Sequence, residues 1–171
     1  MNFQITRTSA YRLLIGLVIL IVTAVFSYGL IHKAQAPDVT FTTLSGKNIP
    51  LSSLRGKVVY IDFWATDCPG CVKEVPELKA MYQQYHARGL ELIGVNMAYD
   101  PPGYVLKFIK KYQIPYPDTL DPQGKIAHAF GGVLLIPTGF LISKQGTILQ
   151  HYVGEPNFTK LTLFINRVLG S

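Results

Sequence analysis

Apolar residues follow two different regimes along the chain. Leu13 to Ile31, LLIGLVILIVTAVFSYGLI, runs for 19 residues without a charge, which as a helix spans about 28 Å, close to one hydrocarbon core. From Asp38 onward the apolar residues come in short runs instead. VTFTTLSGKNIPLSSL, ending at Leu54, places a Ser-Gly-Lys-Asn turn between two such runs and predicts a β-hairpin. KVVYIDFWA, from Lys57, is almost continuously apolar, β-branched and aromatic, as expected of a central strand buried on both faces. Pro69 to His86 carries Val72, Val75, Leu78, Met81, Tyr82 and Tyr85 at helical spacing. LELIGVNM predicts the next buried strand and PPGYVLKFIKKY, from Pro101, the next helix, giving a βαβ unit with a parallel strand pair. A short helix over Lys125 to Phe130, an antiparallel hairpin in GFLISKQGTILQHYVG and an amphipathic helix from Asn157 to Leu169 complete the pattern. The fold class is α/β: a central mixed β-sheet flanked by helices.

This pattern divides the chain into residues 1–12 ahead of the apolar run, the run itself over 13–31, a linker over 32–37 and one domain over 38–171. Ala34-Gln35-Ala36 has the small-residue form of a secretory cleavage site, yet the run exceeds the 7–15 residues of a usual signal peptide and Pro37 would follow the cut. We therefore expect an uncleaved, single-pass transmembrane anchor. Arg7 and Arg12 precede it and only Lys33 follows closely, so the positive-inside bias keeps residues 1–12 in the cytoplasm and sends the domain across the inner (cytoplasmic) membrane. In a Gram-negative host that side is the periplasm. Residues 1–36 hold three Lys or Arg and no acid, and residues 37–171 hold 13 against 10. A surplus of three over a whole domain is an ordinary solvated surface, so no nucleic-acid partner is expected.

The two cysteines, Cys68 and Cys71, lie in FWATDCPGC. A tetrahedral zinc site needs four ligands; C-x-x-C supplies two, and His86, His128 and His151 stand at no ligand spacing. No metal or cofactor is expected. A structural disulfide over so short a loop would constrain the unfolded chain little. The redox reading explains the placement better, because Cys68 falls where a buried strand ends and a helix begins. There the unpaired backbone N–H groups and the helix dipole stabilise a thiolate, and Cys71, one turn further on, can resolve a mixed disulfide formed at Cys68. Asp62 lies in a strand of Val, Ile, Phe and Trp, where burial disfavours its charged form. A side chain paired with Lys57 is the structural alternative.

DFWATDCPGCVKEVPEL, with Trp64 four before the first cysteine, Asp62 six before it, Pro76 five after the second, and Ile136-Pro137-Thr138 downstream, resembles thioredoxins. Over residues 37–170 the chain looks like the membrane-anchored TlpA/ResA-like branch of that superfamily, with residues 97–123 matching its βα insertion. The resemblance implies a thioredoxin-like fold and a redox-active Cys68–Cys71 disulfide, with Asp62 as general base or acid behind Cys71. It implies a cis Pro137 facing the disulfide, Ile136 backbone groups open to a bound partner, Gly154 beside the substrate groove, and Trp64 as a platform beside the thiol. The chain departs from the pattern in three places, the first being Asp62, which is thioredoxin-like where many TlpA-like relatives have asparagine. Asp67 stands where tryptophan is usual and would oppose a neighbouring thiolate, and Pro69-Gly70 reverses the Gly-Pro of cytosolic thioredoxins.

The expected activity is extracytoplasmic thiol–disulfide exchange, reducing disulfides of exported proteins in cytochrome c maturation or copper-site assembly, with a transmembrane electron donor to replenish thiols in an oxidising compartment. A thiol oxidant or isomerase is the nearest alternative. A peroxiredoxin-like peroxidase would need a Pro and a Thr/Ser where Ile61 and Ala65 stand. A Cu(I) chaperone would use the two soft sulfurs, but copper-delivering relatives carry C-x-x-x-C with a downstream histidine.

Overall fold

The computed structural model describes residues 11, 12, 14–23 and 34–170. They fall into two units, one ending at Ala34 and one running from Gln35. In the first, residues 11, 12 and 14–23 are helical, and Leu14, Ile15, Leu17, Val18, Ile19 and Leu20 are all exposed. Among the described residues no helix is long and apolar enough to cross a membrane. The predicted 13–31 span extends over positions outside the described residues, as does most of 1–12.

The second unit is a five-stranded mixed sheet in the order β5-β4-β3-β6-β7, with a two-stranded hairpin beside it. The hairpin pairs β1 (Thr40–Thr42) with β2 (Asn48–Pro50) around the predicted turn. The central strand β3 (Val58–Trp64) runs parallel to β4 (Leu90–Asn96) and is buried throughout. Helix α1 (Pro69–Tyr85) connects the two, the crossover that a parallel pair requires. Helix α2 (Pro102–Tyr112) leads to β5 (Asp118–Leu120), a third parallel strand. The short α3 (Lys125–Ala129) precedes the antiparallel hairpin β6 (Thr138–Ile142) and β7 (Ile148–Val153), and α4 (Phe158–Leu169), capped by the Asn157 side chain, closes the chain.

Alternation along β3 sorts the core into layers. Val59, Ile61 and Phe63 point to one face and pack with Phe41, Leu51, Leu54, Ile126 and Phe130 from the hairpin side and α3. Val58 and Tyr60 point to the other, against Leu78 and Met81 of α1 and Leu161 and Ile165 of α4. Trp64, also on that face, joins Cys71 and Val75 of α1 and Val105 and Phe108 of α2. Chain entry is fixed at one end of the sheet: Ala36 N–H donates to Gly146 O (2.9 Å) and Gln35 Nε2 to Thr147 Oγ1 (3.1 Å), both in the β6–β7 turn. Since β6 begins opposite Phe63 and ends opposite Val59, this turn lies at the end of the sheet away from the β3–α1 junction.

Close packing has one clear point of intolerance. Gly139 pairs with Asp62 across β3 and β6, and a Cβ there would overlap the hydroxyl and ring of buried Tyr60. Gly139→Ala should therefore destabilise the domain by about 1–3 kcal/mol in urea denaturation; a variant as stable as the parent would show that Tyr60 can give way.

Candidate active site

The site grows from the junction of β3 and α1. Cys68 is the N-cap of α1, with extended backbone, and its Sγ accepts the Cys71 N–H at 3.1 Å. The sulfur thus occupies the acceptor position that Ser or Asp fills in other caps, at the positive end of the helix. Pro69 follows at N1, where no intrahelical donor is lost. Cys68 is partly exposed, Cys71 is buried, and the two are joined as a disulfide with Cα atoms 5.2 Å apart.

Beneath the dithiol lie two acids. Asp62 shares the face of Tyr60 and Trp64, so its carboxyl enters the layer where α1 presents Cys71, Val75 and Leu78. Glu74, three residues after Cys71 on α1, is buried and faces it. Among the described residues no donor reaches Asp62 Oδ1, Glu74 Oε1 or Glu74 Oε2. Burial pushes both carboxyls above the ordinary range. The charge of Asp62 holds Glu74 up further. Lys57 pairs with Glu91 at 2.9 Å, so the Lys57 partnership considered for Asp62 does not form.

The other predicted residues surround this centre. The Ile136–Pro137 bond is cis, and Pro137 Cδ would lie 3.3 Å from a Cβ placed on Gly70, inside the C-x-x-C loop. Gly154, at φ +84°, donates its N–H to Pro137 O at 2.8 Å and so closes the loop from the β7 side. The Ile136 N–H and C=O enter no hydrogen bond with another described residue. Trp64 is buried, its ring 5.0 Å from that of Phe108 and its Nε1 donating to Asp118 Oδ2 at 2.9 Å. Asp67 is exposed. His151 stacks on Phe140 at 4.3 Å. Among the described residues no group of His, Cys, Asp and Glu is placed to hold a metal ion.

Several residues of the site were not singled out by the sequence. Asp100 accepts from the Thr66 N–H, from Thr66 Oγ1 at 2.7 Å and from Asn96 Nδ2 at 2.9 Å, tying the loop before Cys68 to the start of the inserted unit. Asp118 and Glu74 are the others. Glu74 did leave a signal: at i+3 from Cys71 it falls on the apolar face of α1, where an unpaired acid is unusual.

With this geometry established, the Redoxin family matches residues 32–162 of the chain. The chain belongs to that family. This redoxin is 34% identical over 134 residues to the thiol-disulfide oxidoreductase ResA of Bacillus thuringiensis subsp. konkukian, covering 78% of this chain and 76% of the relative. It is 36% identical over 121 residues to ResA of Geobacillus kaustophilus, covering 71% and 68%. Among solved structures, a thiol:disulfide interchange protein of the thioredoxin family from Chlorobium tepidum superposes with a TM-score of 0.74 at 27% identity, covering 81% and 98%. StoA from Bacillus subtilis gives 0.66 at 25%, covering 75% and 96%. The redoxin is thus a ResA-like thiol–disulfide oxidoreductase with a thioredoxin-like α/β fold.

The acid pair makes the redoxin's stability depend on pH. Raised folded values mean that the folded state holds more protons than the unfolded chain, whose carboxyls titrate near pH 4. The associated stability is complete below that point and is lost as pH rises through the folded values. Asp62→Asn should be more stable than the parent at pH about 8, by about 1–2 kcal/mol, with the gap narrowing toward pH 4. A gap independent of pH, measured by denaturant melts across that range, would remove the buried charge from the account.

Proposed function

We propose that the protein is an extracytoplasmic, membrane-anchored reductase of disulfides in exported polypeptides, in cytochrome c maturation or copper-site assembly, with Asp62, Trp64, Ile136, Pro137 and Gly154 serving the Cys68–Cys71 pair. The observation that carries this reading is the asymmetry of the dithiol: Cys68 partly exposed at the N-terminus of α1, Cys71 buried above an acid pair. In the reduced protein the Cys68 thiolate attacks one sulfur of a substrate disulfide. The substrate S–S bond breaks, the second sulfur leaves as a thiolate and takes up a proton, and a mixed disulfide joins Cys68 to the substrate. Cys71 then gives its proton to the Asp62–Glu74 pair and attacks Cys68 Sγ, releasing the substrate's other thiol. Two electrons have passed to the substrate and the Cys68–Cys71 disulfide has formed.

Around the sulfurs, the unpaired Ile136 backbone supports the pairing of an extended substrate segment beside Pro137. Gly154 leaves that groove without a side chain. The 19-residue uncharged run, with exposed aliphatic side chains on its described part, supports a membrane anchor. An anchor in turn would bring the domain near a transmembrane electron donor.

A Cys71→Ser variant tests the reading directly. Lacking the resolving sulfur, it should accumulate exported polypeptides bound to Cys68 through a bond that dithiothreitol releases. The parent's reduction potential should lie below about −200 mV; a value near about −120 mV, in the range of periplasmic oxidants, would make the protein a thiol oxidant instead.

A further inference from the structure

The inserted βα unit reaches the dithiol through one side chain. Asp118, on β5, is buried beside Trp64, and its Oδ2 accepts the indole Nε1–H at 2.9 Å. The arrangement is built in from three strands. Gly94 of β4 pairs with Asp118, and a Cβ at Gly94 would overlap Asp118 Oδ2 and come within 3.0 Å of Trp64 Nε1, so only glycine leaves room for the bond. Phe108 of α2 backs the indole from the other side. Both partners of Trp64 therefore come from the inserted unit, while the ring itself packs in the cluster that contains both cysteines. Asp118 Oδ1 has no partner among the described residues, so this carboxyl carries more capacity than holding one N–H requires.

We propose that Asp118 is a positioning residue for thiol–disulfide exchange: through Trp64 it fixes the buried wall against which Cys71 reacts, and its charge opposes the negative charge that develops there. The proposal rests on the oxidoreductase reading and adds a residue to it. When dithiothreitol reduces the protein, its thiolate attacks Cys68 Sγ, the Cys68–Cys71 bond breaks, and Cys71 departs as a buried thiolate that takes a proton from the acid pair. The second thiol of dithiothreitol then loses its proton to solvent and attacks the dithiothreitol sulfur bound to Cys68; that S–S bond breaks, Cys68 leaves as a thiolate and dithiothreitol departs as a cyclic disulfide, two electrons having passed to the protein. A carboxylate at Asp118 disfavours the buried thiolate; a carboxylic acid does not. Burial raises Asp118 to about 8, the Trp64 hydrogen bond opposing the shift and the charges of Asp62 and Asp100 adding to it. The groups facing it are Asp62 on β3, Asp100 in the β4–α2 loop and Tyr116 ahead of β5.

Trp64 is the single tryptophan of the chain, so its fluorescence reports the contact without a label. In the oxidised protein the emission should inflect near pH 8, and Asp118→Asn, whose amide oxygen still accepts the indole N–H, should lose that inflection. At pH 6.5, where Asp118 is uncharged, Asp118→Ala should shift the emission to the red and slow reduction by dithiothreitol about tenfold, the scale of one lost buried hydrogen bond. The ratio of Asp118→Asn to parent reduction rates should rise about threefold or more between pH 6.5 and 9.5, as only the parent gains the opposing charge. If Asp118→Ala does not fold, the Asp118→Asn titration and rate ratio decide alone. An inflection that survives in Asp118→Asn with a flat rate ratio would overturn the proposal, as would Asp118→Ala with parental emission and rate. A parent inert to dithiothreitol would overturn the oxidoreductase reading along with it, whereas a reactive parent beside unchanged variants overturns the role of Asp118 alone.

Discussion

One buried carboxyl sets the constraint that the centre of the protein satisfies. Asp62 occupies the middle of a strand otherwise made of Val, Tyr, Ile, Phe and Trp, and both of its neighbours across the sheet are glycines, Gly94 on β4 and Gly139 on β6. The space left by the missing side chains is taken by functional groups: the Tyr60 phenol over Gly139, and the Trp64 indole with the Asp118 carboxyl over Gly94. An acid placed there is buried, and the group facing it is another acid, Glu74. Leaving polar groups so poorly satisfied costs stability. Under the proposed function the compensation is chemical, because two buried carboxyls can exchange a proton with a neighbouring sulfur.

The same economy runs through the rest of the site. A strand that ends at Trp64 and a helix that starts at Pro69 leave a short loop that ends in Cys68, with Cys71 in the first turn of the helix. Asp100 holds the loop at Thr66, and Cys68 Sγ caps the helix. Pro137 meets the loop at Gly70 and is itself held by Gly154. These contacts arrive from the β4–α2 loop and from the residues either side of the β6–β7 hairpin, so the dithiol is positioned by the tertiary fold more than by its own segment.

Much of this was legible in the sequence, for definable reasons. Strands buried on both faces announce themselves as continuous apolar runs, and β3 and β4 fell where KVVYIDFWA and LELIGVNM placed them. Helical spacing located α1 and α4 to within a residue, and the turn residues located both hairpins. Strand β5 was hidden, being three residues long with an acid at its start. What the sequence withheld is register. Nothing in the order of residues says that Gly94 and Gly139 flank Asp62, or that Asp118, 54 positions after Trp64, meets its indole. Glu74 was within reach, since helix geometry alone puts it on the face of Cys71.

The fastening of Gln35 and Ala36 to the β6–β7 turn has a mechanical consequence. A pull transmitted along the chain from its N-terminal side enters the domain at Gly146 and Thr147, at the end of the sheet remote from the β3–α1 junction. The load then enters at the β6–β7 hairpin, and the length of β6 separates that turn from the sulfurs. Force applied at Gln35 thus meets the sheet at the end opposite the Cys68–Cys71 bond.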